Sequence, residues 1–161
     1  MVGGAHPTIV LGNVDLGGNS MSSPPEGYHT VTPYLVVQDI EALITFLKET
    51  FDTEETERVP GPDGTTRHAE VRIGDSVVMM GTARGRPPVP GMLYVYTVDV
   101  DKVYSRALKA GGESIARPEN QFYGDRTAGV TDGQGNVWYM ATRVENLSEE
   151  ELRERALAAR G

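Results

Sequence analysis

From Val31 onward the chain runs in short apolar stretches of strand length, broken twice by a helical spacing. The segment VTPYLVV (31–37) reads as a strand. Behind it Asp39 has the side chain of a helix N-cap, and Ile40, Leu43, Ile44, Leu47 and Phe51 follow at the three- and four-residue intervals of one helical face. Thr53 to Val59 returns to strand character, the turn GPDGTT follows, and HAEVRIG and SVVMMG read as two strands joined through Gly74-Asp75, a hairpin signal. The order is βαβββ, and TARGRPPVPG, with Pro87, Pro88 and Pro90, ends it as a linker because proline continues neither helix nor ladder.

The same grammar then repeats. MLYVYTV is a strand, Asp99 or Asp101 opens a helix carrying Val103, Ala107 and Leu108, and Gly111-Gly112 closes it. ESIARP, RTAGVTD and NVWYMAT supply three more strands, the last two joined by the Gly133/Gly135 turn. Asp99 follows Asp39 by 60 residues and Gly135 follows Gly74 by 61, a near-constant offset that marks a duplicated unit. The expected fold is α+β: two tandem βαβββ modules, about 31–82 and 91–143, forming a curved mixed sheet or cup within a domain of 28–145. Ser148 and Glu151 stand at capping-box spacing and begin a C-terminal helix within 146–161, whose stripe Leu152, Ala156 and Ala159 would lie on the domain or across a dimer seam. Residues 1–27, rich in Gly, Pro, Ser and Asn, read as a flexible arm; its apolar piece at 8–16 either adds as an edge strand or stays a tail.

A length of 161 residues suits one domain, and no apolar run is long enough to span a membrane. The absence of cysteine removes disulfides, thiolate ligands and cysteine nucleophiles, and fits a reducing, cytoplasmic setting. The net charge of −8, with 15 Lys and Arg scattered among 23 acids, argues against nucleic-acid binding and leaves neutral or cationic small molecules as partners. Solubility alone also accounts for such a charge.

The two repeats, with VVQD and TVDVD leading into their helices and DGQGNVWYM closing the second, resemble the vicinal-oxygen-chelate superfamily of glyoxalases, bleomycin-resistance proteins and dioxygenases. Within it, TVTPYLVVQD, HAEVRIGDSVVMM and QFYGDRTAGVTDGQGNVWYMAT are similar to the branch called PhnB-like or glyoxalase-like. The resemblance spans about 30–143 and implies a small-molecule cup completed by a homodimer partner. In metalloenzymes of the superfamily the cup holds one divalent ion, bound by His, Gln or Glu from the first and last strands of each module. The matching positions here are Thr32, Met92, Tyr139 and either Met79 or Met80. A hydroxyl, thioethers and a phenol are poor donors to such an ion, so neither a metal at the family position nor another cofactor is expected.

Two groups of residues carry candidate chemistry. His68 and Glu70, two apart on a strand, share a face with Arg72, and an imidazole oriented by a carboxylate suits acid-base catalysis or a displaced metal site. A half-exposed polar network explains the same pattern. In QFYGDRTAG, Tyr123, Asp125 and Arg126 combine a phenol, a carboxylate and a guanidinium; Arg126 would bind a ligand oxygen or merely pair with Asp125 in the loop. Trp138 and Tyr139 alternate faces, with Trp138 assigned to the core. His6 and His29 stand outside the strands, and no phosphate-binding glycine motif or Ser-His-Asp set is apparent.

The first expectation is a ligand-sequestering protein without the family metal, its cup lined by Tyr34, Met80, Met92, Tyr94, Tyr123, Arg126 and Tyr139. The alternative is a lyase, isomerase or dioxygenase working through His68 and Glu70, with or without a relocated metal.

Overall fold

Asp39 and Asp99 each sit in extended backbone and turn a carboxylate back onto a helix N-terminus, accepting from the amides of Ala42 and Lys102 at 3.0 Å. These two caps launch the helices of two like units in the computed structural model, which describes residues 24–159. The arm expected over 1–27, with its apolar piece and His6, falls almost wholly outside the described residues.

The first unit runs β1 (Tyr34–Val37), α1 (Ile40–Phe51), β2 (Glu54–Pro60), β3 (Thr66–Ile73) and β4 (Ser76–Thr82). The second runs β5 (Met92–Tyr96), α2 (Val100–Lys109), β6 (Glu113–Asn120), β7 (Asp125–Thr131) and β8 (Val137–Arg143), and α3 (Glu149–Ala158) follows. The strands form two four-stranded mixed sheets, ordered β1-β4-β3-β2 and β5-β8-β7-β6, in which β1 and β5 pair in parallel with the last strand of their own unit. β1 is shorter than the run 31–37 suggests, since Pro33 has no amide to give a ladder.

One face of each sheet packs on the helices. Leu35, Val37, Ala69, Val71, Val78 and Met80 of the first sheet and Ala128, Val130, Trp138 and Met140 of the second join the apolar faces of α1 and α2 in one core. The units meet through it: Phe51 at the end of α1 lies 5.6 Å, centroid to centroid, from Trp138 on β8. Arg106 on α2 forks onto both carboxylate oxygens of Asp52 at 2.7 and 2.6 Å, and its Nε donates to the Glu49 carbonyl at 2.7 Å. Asp52 has the left-handed backbone (φ 52°) that ends α1.

The turn between β7 and β8 is organised by Asp132, whose Oδ1 accepts from the amides of Gln134 and Asn136 and whose Oδ2 accepts from Asn136 Nδ2 and Trp138 Nε1. Asn136 Oδ1 in turn takes the Gly91 amide at 3.0 Å, tying this turn to the linker before β5. The capping box of α3 forms, with Ser148 and Glu151 bonded reciprocally, yet no residue of the helix is buried. The stripe expected to lie on the domain or across a dimer seam is not buried within this chain, although Leu152 lines a pocket with Leu147, and Arg155 ties the helix to the preceding segment by pairing with Glu145. Among the described residues no helix is long and apolar enough to cross a membrane.

Candidate functional site

Period-two alternation leaves the other face of each sheet open, and the two open faces differ in chemistry. In the second sheet Met92, Tyr94 and Tyr96 of β5 point outward in register with Val137, Tyr139 and Ala141 of β8. Tyr94 and Tyr139 lie nearly parallel, 16° between planes and 6.4 Å between centroids, and Tyr96 meets Tyr94 edge-on at 5.5 Å. Gly129 on β7 makes this possible: a Cβ there would stand 3.0 Å from both Tyr139 and Ile115.

At the end of this aromatic row lies Asp125, 2% exposed. Its Oδ2 accepts from the hydroxyls of Tyr96 at 3.1 Å and Tyr94 at 3.3 Å. Arg143 Nε stands 3.0 Å from Oδ1, near enough for charge pairing but misaligned for a hydrogen bond. Another nitrogen of the same guanidinium donates to the Tyr123 carbonyl at 2.9 Å. Leu147 and Leu152 close one side of the resulting pocket of about 460 Å³. Loss of water around its hydroxyl, then hydrogen bonding with Tyr123, pushes the Tyr94 phenol above its usual range, while the bond to Asp125 chiefly raises that of Tyr96. Both phenols thus remain neutral donors at any physiological pH.

In the first sheet the open face carries Tyr34, His68, Glu70 and Arg72. His68 Nε2 is 3.0 Å from Glu70 Oε1, and Glu70, 3% exposed, takes the Tyr28 hydroxyl on Oε2. That bond, helped by burial and by the charges of Glu70 and Glu57, pushes the Tyr28 phenol up to about 12. Tyr28 belongs to the segment entering β1, which crosses this face; Arg72 donates to the Gly27 carbonyl at 3.2 Å. The ring of Tyr34 lies 5.8 Å from that of His68 and covers Gly81, where a side chain would collide with it.

Most of the residues singled out in the sequence fall on these faces, and two do not. Met80 is fully buried among Leu35 and Ala69 on the helix side, so it belongs to the core and lines no cup; Met79 occupies the outward position. Arg126 also points to the helix side, where it forks onto Asp101 of α2 at 2.7 and 2.8 Å and bonds Asn120. It pairs neither with Asp125 nor with anything on the tyrosine face. Sequence reasoning passed over Tyr96 and Arg143, although the alternation MLYVY puts Tyr96 on the side of Met92 and Tyr94. Tyr28 and Glu57 left no comparable signal.

The positions that hold the superfamily's metal do not fit one here. Thr32 lies before β1 with its hydroxyl donating to the His29 carbonyl, Met80 is core, Met92 is 75% exposed, and Tyr139 offers a phenol stacked on Tyr94.

Comparison with known proteins agrees with the duplicated architecture. The chain is 33% identical over 145 residues to an uncharacterized protein of Mycobacterium bovis, covering 81% of this chain and 93% of that one. An uncharacterized protein of Mycobacterium tuberculosis is equally similar, with 81% and 84% covered. Among solved structures, TioX from Micromonospora sp. ML1 superposes with a TM-score of 0.62 at 24% identity, covering 70% of this chain and 97% of that one. A PhnB protein from Bacillus cereus, described as a putative 3-demethylubiquinone-9 3-methyltransferase, has a TM-score of 0.57 at 18% identity, covering 71% and 99%. These structures share the fold. Residues 28–140 match the profile of the Glyoxalase/Bleomycin resistance protein/Dioxygenase superfamily, and the chain belongs to that family.

Proposed function

We propose that the chain binds a small, planar, neutral or cationic molecule on the tyrosine face of the second sheet and holds it without chemical change, as the resistance proteins of its superfamily do. The observation that carries this reading is the set of rings formed by exposed Tyr94 and Tyr96 and half-buried Tyr139, gathered beside the buried carboxylate of Asp125. Aromatic faces stack on a planar ligand, and a carboxylate desolvated beneath them takes an N–H or a positive charge. Arg143, whose side chain is 45% exposed, is the partner a ligand displaces from Asp125. Exposed Met92 and Tyr96 lie at the rim, where a second copy of the chain in a homodimer would cover them. A cytoplasmic setting belongs to the same proposal, in keeping with a chain that has no cysteine.

Calorimetric titration with bleomycin and with planar aromatic amines tests the reading. Tyr94→Ala and Tyr139→Ala each weaken saturable binding by about tenfold, the scale of one lost aromatic contact. Arg126→Ala, on the opposite face, leaves affinity unchanged. Equal affinity in the tyrosine variants would refute the placement.

One observation favours a second reading, catalysis: the 3.0 Å contact between His68 and the buried Glu70 is the geometry of an imidazole oriented by a carboxylate for proton transfer. Under it, turnover of a small carbonyl substrate disappears in His68→Ala while the melting temperature stays within a few degrees; unchanged turnover removes the reading.

A further inference from the structure

On the open face of the first sheet Glu57 of β2 stands directly opposite Glu70 of β3. Facing carboxylates repel, and burial of one strengthens the repulsion because less water screens it. Among the described residues no lysine or arginine lies within salt-bridge distance of either; His68 places an imidazole 3.0 Å from Glu70. Arg72, on the same strand and face, gives its guanidinium to the Gly27 carbonyl instead. The sheet thus gathers two carboxyl groups and one imidazole with no lysine or arginine paired to them among the described residues.

Their geometry suits one external cation. The ligand atoms of Glu57, His68 and Glu70 all lie within 4.8 Å of one another. For bonds of about 2.1 Å, two ligands at right angles around an ion are separated by about 3.0 Å and two opposite ligands by about 4.2 Å. The 3.0 Å between His68 Nε2 and Glu70 Oε1 is therefore already the spacing of neighbouring ligands. The three residues do not share one degree of exposure: Glu70 is buried, His68 is intermediate and Glu57 is exposed, so the solvent side stays open to water or to a ligand oxygen. The Tyr28 hydroxyl bonds Glu70 Oε2, the oxygen turned away from His68, and fixes the carboxylate as outer partners do at metal centres.

We propose that Glu57, His68 and Glu70 bind one first-row divalent cation on the open face of the first sheet, at β2 and β3, with donors other than the family positions Thr32, Met79, Met92 and Tyr139. One imidazole with two carboxylates suits Zn²⁺ and Mn²⁺ better than Ca²⁺, which prefers an all-oxygen shell of higher coordination number. The site is independent of ligand binding on the tyrosine face, and a titration with the metal alone tests it separately.

The full chain, stripped with chelator and dialysed, is titrated with Zn²⁺ and with Mn²⁺ by calorimetry, and its melting temperature is measured with and without each ion. The expected result is one ion per chain with a raised melting temperature, since an ion that binds only the folded state stabilises it. His68→Ala and Glu70→Gln then weaken binding by about a hundredfold or more. Glu57→Gln, at an exposed position, removes one of the two facing carboxylates and so weakens metal binding without lowering the metal-free melting temperature. Arg126→Ala leaves the isotherm as in the wild type. Absence of saturable binding in the wild type, or an unchanged affinity in His68→Ala or Glu57→Gln, overturns the proposal.

Discussion

Trp138 donates its indole N–H to Oδ2 of Asp132 at 2.8 Å inside the core, with the tryptophan fully buried and the carboxylate 7% exposed. The same carboxylate takes Asn136 Nδ2 and two backbone amides, so one side chain satisfies four buried or half-buried donors at the β7–β8 turn. Asp132→Ala strips all of these at once. The variant is expected to lose about 3 kcal/mol of stability, from donors left unpaired, which for a chain of this size is a fall of about 6–12 °C in melting temperature. Thermal melts followed by tryptophan fluorescence check it; a loss within a degree or two would mean that water replaces the carboxylate.

Met80 and Met92 were alike as cup candidates in the sequence and are opposites in the fold. Met80 has no exposed surface, whereas Met92 is 75% exposed. Met80→Ala should cost about 2–5 kcal/mol through lost burial and the cavity it leaves, and Met92→Ala within about 0.5 kcal/mol. Urea unfolding of the two variants measures the contrast, and equal costs would contradict the assignment of faces.

An acid-sensitive contribution to stability comes from the β2 edge. Hydrogen bonds from Arg58 and then Lys48 hold the Glu55 carboxyl down to about 2, against an ordinary value of 4.5. Arg58 also pairs with Glu41, which it likewise lowers. A pKa depressed in the folded state means that the unfolded chain takes up the proton first. The contribution is complete above pH 4.5 and is lost as the pH falls toward 2. Unfolding measured across this window should be less steep in Glu55→Gln than in the wild type, and the variant should cost no more than about 1 kcal/mol at neutral pH, given the partial exposure of the pair.

The duplicated architecture was legible because its signals are local. Asp39 and Asp99 cap their helices as their positions suggest, the glycine turns recur at nearly the same offset, and Trp138 and Tyr139 divide between core and open face as alternation requires. The errors have physical reasons. In SVVMMG four apolar residues stand in a row, so period two cannot say which methionine faces the helix. Asp125 and Arg126 are adjacent on β7 and must point to opposite faces, which separates a pair that reads as a unit in sequence. Glu57 reaches Glu70 only because of a register shift between Glu55 and Glu57, and Tyr28 reaches the same carboxylate from 42 residues away through an irregular segment. Neither contact leaves a period or a motif behind.

Binding on the tyrosine face is the central claim, and calorimetry of the native chain against bleomycin and a set of planar aromatic amines tests it most directly. The account predicts saturable binding at one ligand per tyrosine pocket, no conversion of the ligand, and an affinity reduced about tenfold in Tyr94→Ala. No binding across the set, or binding that Tyr94→Ala and Tyr139→Ala leave untouched, would contradict it.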